Sequence, residues 1–94
     1  MTDVYILSAA RTAIGTFGGS LSGFGPIDLA SHAAKAAIAR AGVDPAQIGT
    51  SVWGHVLNTE PRDMYLSRVA AMNAGMVDGA VAMNVNRLCG SGAQ

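Results

Sequence analysis

The residue type best suited to covalent chemistry in this sequence is its single cysteine, Cys89, in the run Leu88-Cys89-Gly90-Ser91-Gly92. It follows a predicted strand and precedes what we expect to be the first turn of a helix. A thiol at a helix N-terminus lies near unpaired N–H groups, which favour the thiolate and could stabilise an oxyanion. Cys89 is therefore a candidate nucleophile. A buried structural cysteine is the alternative interpretation.

A nucleophile needs a base, and both histidines have simpler interpretations. His32 lies four residues after Asp28 on the polar face of a predicted helix, which favours a solvated pair. His55 lies within an apolar predicted strand, which favours a hydrogen-bonded core histidine. Arg11 could bind an anion, although pairing within the protein is the more common role. Met64, Met72, Met76 and Met83 are expected to fill the core.

Four charged residues gather around a predicted loop and helix start: Glu60, Arg62, Asp63 and Arg68. Their alternating signs favour an internal or interfacial ion network over a pair of catalytic carboxylates.

Composition excludes several classes of protein. Six basic residues balance six acidic ones, which argues against a nucleic-acid surface. Half of the 94 residues are hydrophobic and 13% are charged, the opposite of a disordered chain. One cysteine permits neither an intramolecular disulfide nor an all-cysteine metal site, and we predict no metal. We expect a reduced, cytoplasmic setting, because we find neither a signal peptide nor an apolar run long enough for a membrane span.

The elements that would position Cys89 alternate along the chain. An apolar run at 4–7, continuing to Ala10, predicts a strand covered on both faces, and a glycine-rich loop follows it. Helical spacing predicts a helix at 26–41, with Pro26 in its first turn and Gly42 as its stop. Five further predicted elements complete the order. They are a capped turn at 44–47, a strand at 51–57, a helix capped by Asp63 and running to about Ala74, a strand at 80–86 and a helix start at 90–94. Such alternation predicts an α/β domain with a largely parallel sheet.

Three blocks of the sequence resemble the thiolases, the acetyl-CoA acetyltransferases and 3-ketoacyl-CoA thiolases. They are Ala10–Leu21, the segment from Gly54 to Tyr65, and Asn86–Gly92, which matches the block around the nucleophilic cysteine of that family. Ala13 stands where proline is usual, and Ala93 where a larger apolar residue is common. The resemblance implies that Cys89 becomes acylated and that its backbone N–H contributes to an oxyanion hole. The other catalytic groups of the family lie in its carboxyl-terminal half.

The resemblance also implies a fold and partners. We expect a thiolase-like layered α/β fold with an incomplete first half, βαβαβ plus the start of the nucleophile-bearing helix, so that residues 1–94 form an incomplete N-terminal thiolase domain. Coenzyme A and acyl-CoA would be substrates rather than a permanently bound cofactor, in a homodimer or homotetramer without nucleic acid. The 94 residues alone would be inactive. The alternative is a non-catalytic thiolase-like fragment that acts by association with a partner chain.

Overall fold

The longest element is helix α1, Pro26–Ala41, in a computed structural model that describes residues 2–94. Pro26 occupies its first turn, where a missing N–H leaves no hydrogen bond unmade. The Asp28 carboxylate accepts a 3.0 Å hydrogen bond from the N–H of Gly25 at the same end. Gly42 ends the helix in the left-handed region at φ 69°. The predicted bounds are confirmed.

A parallel pair of strands forms the sheet of the described residues. Strand β1, Thr50–Gly54, pairs with strand β2, Val81–Val85, in the register Thr50↔Val81 to Gly54↔Val85. Helix α2, Leu66–Asn73, connects them, as a parallel pair requires. Because the strands run in the same direction, the segments that follow Gly54 and Val85 lie at the same edge of the sheet.

The approach to α2 differs from the prediction that Asp63 caps the helix. Residues Pro61–Tyr65 form a 3₁₀ turn ahead of α2, and Asp63 lies inside that turn. Its carboxylate accepts hydrogen bonds from the N–H groups of Thr59 and Glu60 and from the Thr59 hydroxyl. Asp63 therefore reaches back to the amides at the start of the turn, as the third residue of a capping box does.

The core lies between the two helices and the sheet. Ile27 and Ala30 of α1 are buried against Leu66 and Ala70 of α2, and Trp53 of β1 packs against this cluster. A second cluster, at the far end of α2, consists of Ala71, Met76 and Ala80, with Ile48 and Met72 packed against it. Alanine on both helices permits their close approach, which explains the small side chains of α1.

The predicted first strand is wrong as a separate element. Residues 4–10 form neither a helix nor a strand in the described part of the chain. The segment lies beside the carboxyl-terminal half of α1 instead: the Ser8 hydroxyl donates to the Ala37 carbonyl at 2.6 Å, and the Arg40 guanidinium donates to the Ala9 carbonyl at 3.0 Å. A strand needs the backbone groups of a neighbouring strand, and this segment has side-chain donors in their place.

Several apolar side chains of this arrangement are exposed. Val4 and Ile6 are each 91% exposed, and half or more of the surface of Val52, Val81 and Met83 on the two strands is open. A strand run without alternation is typical of burial on both faces, whereas half or more of the surface of these residues is uncovered in the described part of the chain. Among the described residues, no helix has the length and apolar character needed to cross a membrane.

Candidate functional site

Cys89 lies in the loop that follows β2, and its side chain is exposed. The alternative of a buried structural cysteine is therefore wrong for this structure. The expected helix start is a single 3₁₀ turn, Ser91–Ala93, whose first position is preceded by Gly90. The thiol thus stands at the edge of the sheet where parallel α/β proteins commonly bind ligands.

The loop around Cys89 is closed by the side chain of Ser91. The Ser91 Oγ accepts a 2.7 Å hydrogen bond from the N–H of Arg87 and donates a 2.7 Å hydrogen bond to the carbonyl of Leu88. Asn86 adds a third contact, since its Oδ1 accepts from the N–H of Leu88 at 3.0 Å. The segment immediately before Cys89 is therefore fixed by side chains on both sides of it.

Leu88 has a backbone conformation that is unusual for its type. Its φ is +48°, the one positive value among the non-glycine residues described. A Cβ in this region meets the backbone, so the conformation persists only where other contacts hold it. The residue next to the candidate nucleophile is therefore the strained one.

The backbone amides after Cys89 divide into two groups. The N–H groups of Gly90 and Ser91 donate to the carbonyls of Arg87 and Leu88, and those of Ala93 and Gln94 donate to Gly90 and Ser91. The N–H groups of Cys89 and Gly92 are not among these donors. The Cys89 amide, to which the resemblance to thiolases gives a role in an oxyanion hole, is thus not a donor in the turn.

The start of this turn packs against the end of β1. A Cβ built on Gly54 would stand 2.7 Å from the carbonyl carbon of Ser91 and 2.9 Å from the Gly92 nitrogen. On the other side, the Arg87 guanidinium covers Gly90 and donates to its carbonyl at 3.3 Å. Glycine at both positions lets backbone and side chain approach the loop closely.

Neither histidine takes the role that the sequence favours. His55 lies just beyond β1, partly buried rather than in the core, with its Nε2 2.9 Å from Asn58 Oδ1. His32 is exposed on α1, and no hydrogen bond or ion pair in the described residues joins it to Asp28. The Asp28 carboxylate faces the Gly25 N–H and, at 3.9 Å, the Arg62 guanidinium.

The predicted ion network involves fewer residues than expected. Arg62 pairs with Glu60 at 2.8 Å, whereas Arg68 donates to the carbonyls of Asp78 and Ala80. Asp63 is fully buried, and its Oδ1 has no hydrogen-bond partner among residues 2–94. The hydrogen bond from the Thr59 hydroxyl is the main cause that lowers the pKa of Asp63, and burial opposes it.

An open cleft of about 760 Å³ lies between the glycine-rich loop and α1. Arg11, His32 and Lys35 line it, and Cys89 does not. Arg11 donates to the neighbouring Thr12 carbonyl and, within residues 2–94, forms no ion pair. Arg11 and Lys35 are therefore not brought into one site with the thiol.

Two residues that hold the structure around the site were not identified from the sequence. Asn84 of β2 accepts from the N–H of Ser67 and donates to the carbonyl of Met64, which joins the strand to the start of α2. The signal available was an amide side chain inside an otherwise apolar predicted strand, since buried polar groups are usually hydrogen-bonded. Ser91 was noted only as part of the motif around Cys89.

Comparison with known proteins decides the family. The family model "Thiolase, N-terminal domain" matches residues 4–94, a range that includes Cys89. The chain belongs to the thiolase family. It is 53% identical over 92 residues to the beta-ketothiolase BktB of Cupriavidus necator, covering 98% of this chain and 23% of that protein. Identity to an acetyl-CoA acetyltransferase of the same organism is 47%, with the same coverage.

A solved thiolase structure has the same fold. Human mitochondrial 3-ketoacyl-CoA thiolase in complex with CoA superimposes with a TM-score of 0.93 at 37% identity, over 96% of this chain and 23% of that one. The α/β thiolase-like fold expected from the sequence is thereby confirmed. The chain spans about a quarter of the length of these thiolases.

Proposed function

We propose that the protein carrying this sequence is a CoA-dependent acyltransferase that forms or cleaves 3-ketoacyl-CoA, such as acetoacetyl-CoA, through an acyl-Cys89 intermediate. Membership of the thiolase family supports the acyltransferase class. The observation that carries the proposal for Cys89 is its exposed position in a constrained loop at the carboxyl edge of the parallel strands.

In the cleavage direction, the Cys89 thiolate attacks the 3-keto carbonyl carbon of the substrate. The negative charge that develops on the carbonyl oxygen is stabilised by the Cys89 N–H, which is not a donor within the turn. The bond between C2 and C3 then breaks, and the electron pair leaves with the acetyl-CoA enolate, which takes up a proton. The acyl group remains on Sγ as a thioester.

In the second half of the reaction, the thiol of another coenzyme A loses its proton and attacks the acyl-Cys89 carbonyl. The thioester exchange releases the shortened acyl-CoA and returns the Cys89 thiolate. Synthesis is the reverse: Cys89 accepts acetyl from one acetyl-CoA and passes it to the enolate of another. We propose that the bases for these proton transfers, and a second oxyanion donor, come from the carboxyl-terminal half of the complete protein, as the resemblance to thiolases implies.

The remaining proposals concern the extent of the domain, the oligomeric state and the cellular location. Residues 1–94 are an incomplete N-terminal thiolase domain, which is supported by their coverage of about a quarter of the relatives and by the exposed apolar faces of β1 and β2. The complete protein would be a homodimer or homotetramer that takes acyl-CoA as substrate and holds no permanent cofactor. We propose a cytoplasmic setting, although several relatives are named as mitochondrial thiolases.

The test is an intact-mass measurement of the purified protein before and after addition of acetyl-CoA. One added acetyl group, mapped to Cys89 by peptide analysis and absent from Cys89→Ala, is the expected result for the complete protein. Because the sequence has a single cysteine, this one variant removes every thiol of residues 1–94. A complete protein that acquires no acetyl group contradicts the proposal.

A verified preparation of the 94 residues alone is expected to show no cleavage of acetoacetyl-CoA by CoA. It has the nucleophile but not the bases that the family supplies from elsewhere. A 9.5 kDa species that never acquires acetyl and binds a partner chain would favour the second candidate, a non-catalytic fragment that acts by association. The exposed apolar side chains of Val4 and Ile6 support this second candidate, because they could bind a partner chain.

A further inference from the structure

We propose that Ser91 is a positioning residue that holds the backbone of Cys89 in the conformation needed for acyl transfer. The inference rests on the proposed function of Cys89 and adds a residue to it. Ser91 is only 6% exposed, so its hydroxyl is turned away from any substrate and acts through the backbone.

The hydroxyl of Ser91 connects two consecutive residues ahead of the nucleophile. It accepts from the N–H of Arg87 at 2.7 Å and donates to the carbonyl of Leu88 at 2.7 Å. The Leu88 carbonyl belongs to the peptide group whose nitrogen is that of Cys89. A hydrogen bond to this carbonyl therefore fixes the direction of the Cys89 N–H, because the two lie in one plane on opposite sides of the peptide bond.

The strain at Leu88 explains why such a contact is needed. With φ at +48°, Leu88 would relax toward the common regions of backbone conformation if it were not held. Its carbonyl accepts from both the hydroxyl and the N–H of Ser91. Of these two hydrogen bonds, only the one from the Ser91 hydroxyl can be removed by a substitution that leaves the backbone unaltered.

The position of Ser91 is itself fixed by the end of β1. Its carbonyl group lies against Gly54 at a distance that leaves no room for a Cβ. The chain of contacts thus runs from the sheet, through Gly54 and Ser91, to the peptide group of Cys89. A rigid element supports the loop that carries the nucleophile, as the positioning of reacting groups requires.

The experiment compares Ser91→Ala with Ser91→Thr, which keeps the hydroxyl, and with Ser51→Ala as matched control. Ser51 is also a buried serine with two side-chain hydrogen bonds, to the Ser67 carbonyl and from the Trp53 indole, but its hydroxyl makes no contact with the Cys89 loop. Two quantities are measured on the complete protein: kcat and KM for cleavage of acetoacetyl-CoA, and the amide hydrogen exchange rate at Arg87.

For Ser91→Ala, kcat is expected to fall about ten- to a hundredfold with KM changed less than about twofold, because a misplaced nucleophile slows the reaction without affecting binding of the substrate. Exchange at Arg87 is expected to accelerate about tenfold with the loss of its acceptor. Ser91→Thr should recover most of kcat, and Ser51→Ala should leave kcat and the exchange at Arg87 within about twofold of the parent.

Two results overturn the inference. In one, Ser91→Ala keeps the parent kcat. In the other, Ser51→Ala loses as much of kcat as Ser91→Ala does, which would indicate a general loss of stability. A parent protein that shows no acyl transfer overturns the proposed function and with it the positioning role of Ser91 in that reaction. The amide exchange rates distinguish these failures. Faster exchange at Arg87 in Ser91→Ala, but not in Ser51→Ala, shows that the Ser91 side chain makes its hydrogen bond to Arg87 whether or not any acyl transfer is measured.

Discussion

Gly54 and Ser91 approach so closely that a Cβ on Gly54 would stand 2.7 Å from the Ser91 carbonyl carbon. The contact joins the carboxyl end of β1 to the turn after Cys89, and the atoms on the far side are backbone rather than the mobile end of a side chain. Real Cβ contacts do not reach this distance, so any larger residue at 54 must displace the turn. The glycine is required here by the close approach and not by its own backbone angles.

Gly54→Ala is therefore expected to lower the free energy of unfolding by about 1–3 kcal/mol, the usual cost of overpacking. It should also slow the proposed acylation of Cys89 at least about tenfold, since the turn beside Cys89 has to move. Gly49→Ala is the matched control, because Gly49 lies next to the other end of β1 and a Cβ there meets nothing within 4 Å. Urea unfolding and the rate of acetyl incorporation measure the two effects. Equal behaviour of the two variants would contradict the steric argument.

The backbone of Leu88 permits a test of strain beside Cys89. Leu88→Gly removes the Cβ that is unfavourable at φ +48° and so relieves strain in the folded protein. This stabilisation offsets the greater conformational entropy of glycine in the unfolded chain. We expect the free energy of unfolding to be unchanged or raised by up to about 1 kcal/mol. Leu88→Val, which is β-branched, should lower it by about 1–2 kcal/mol.

Leu57→Gly is the control for the Leu88 pair. Leu57 is about as exposed as Leu88, at 76% against 68%, but has no positive φ. The glycine substitution there should lower the free energy of unfolding by about 0.5–1 kcal/mol in urea titrations. If Leu88→Gly destabilises the protein as much as Leu57→Gly does, the strain assigned to Leu88 is absent.

The parts of the fold that local sequence determines were predictable. Helix α1 has its proline, its acidic first turn and its terminal glycine within the segment itself, and its predicted bounds match the structure. The two strands that flank α2 were placed within a few residues of their bounds, because apolar runs between turns mark them. The motif around Cys89 likewise placed the residue beyond a strand.

The parts that depend on distant neighbours were not predictable. The run at 4–10 has the composition of a buried strand, but pairing depends on a partner that its own residues do not supply. The 3₁₀ turn at Pro61–Tyr65 arises because Asp63 bonds to amides upstream of it instead of capping the helix downstream. The sequence identified Cys89 as the candidate nucleophile, whereas the roles of Gly54 and Ser91 become visible only when β1 and the turn are seen in contact.

Asp63 makes the free energy of unfolding of the described region depend on pH in the acid range. Hydrogen bonds from the Thr59 hydroxyl, and then from the amides of Thr59 and Glu60, lower the pKa of Asp63 below its ordinary value although burial opposes them. Folding thus favours the carboxylate over the acid. The resulting stability is complete above the pKa of an unfolded aspartate, about 3.9, and is lost as the pH falls through the lower folded value.

The Thr59 hydroxyl is the donor that lowers the pKa of Asp63 most, so its removal tests the pH dependence directly. Thr59→Val has a similar shape but no hydroxyl, so the pKa of Asp63 should rise toward its ordinary value. The acid-induced loss of stability should then begin at the same pH, which the unfolded aspartate sets, but end at higher pH and be smaller in total. Thr59→Ser keeps the hydroxyl and should follow the parent, and Asp63→Asn should lose this contribution altogether. Urea unfolding at intervals between about pH 2 and 6 measures the slope for each variant. If Thr59→Val and Thr59→Ser give the same curve, the Thr59 hydroxyl does not stabilise the Asp63 carboxylate.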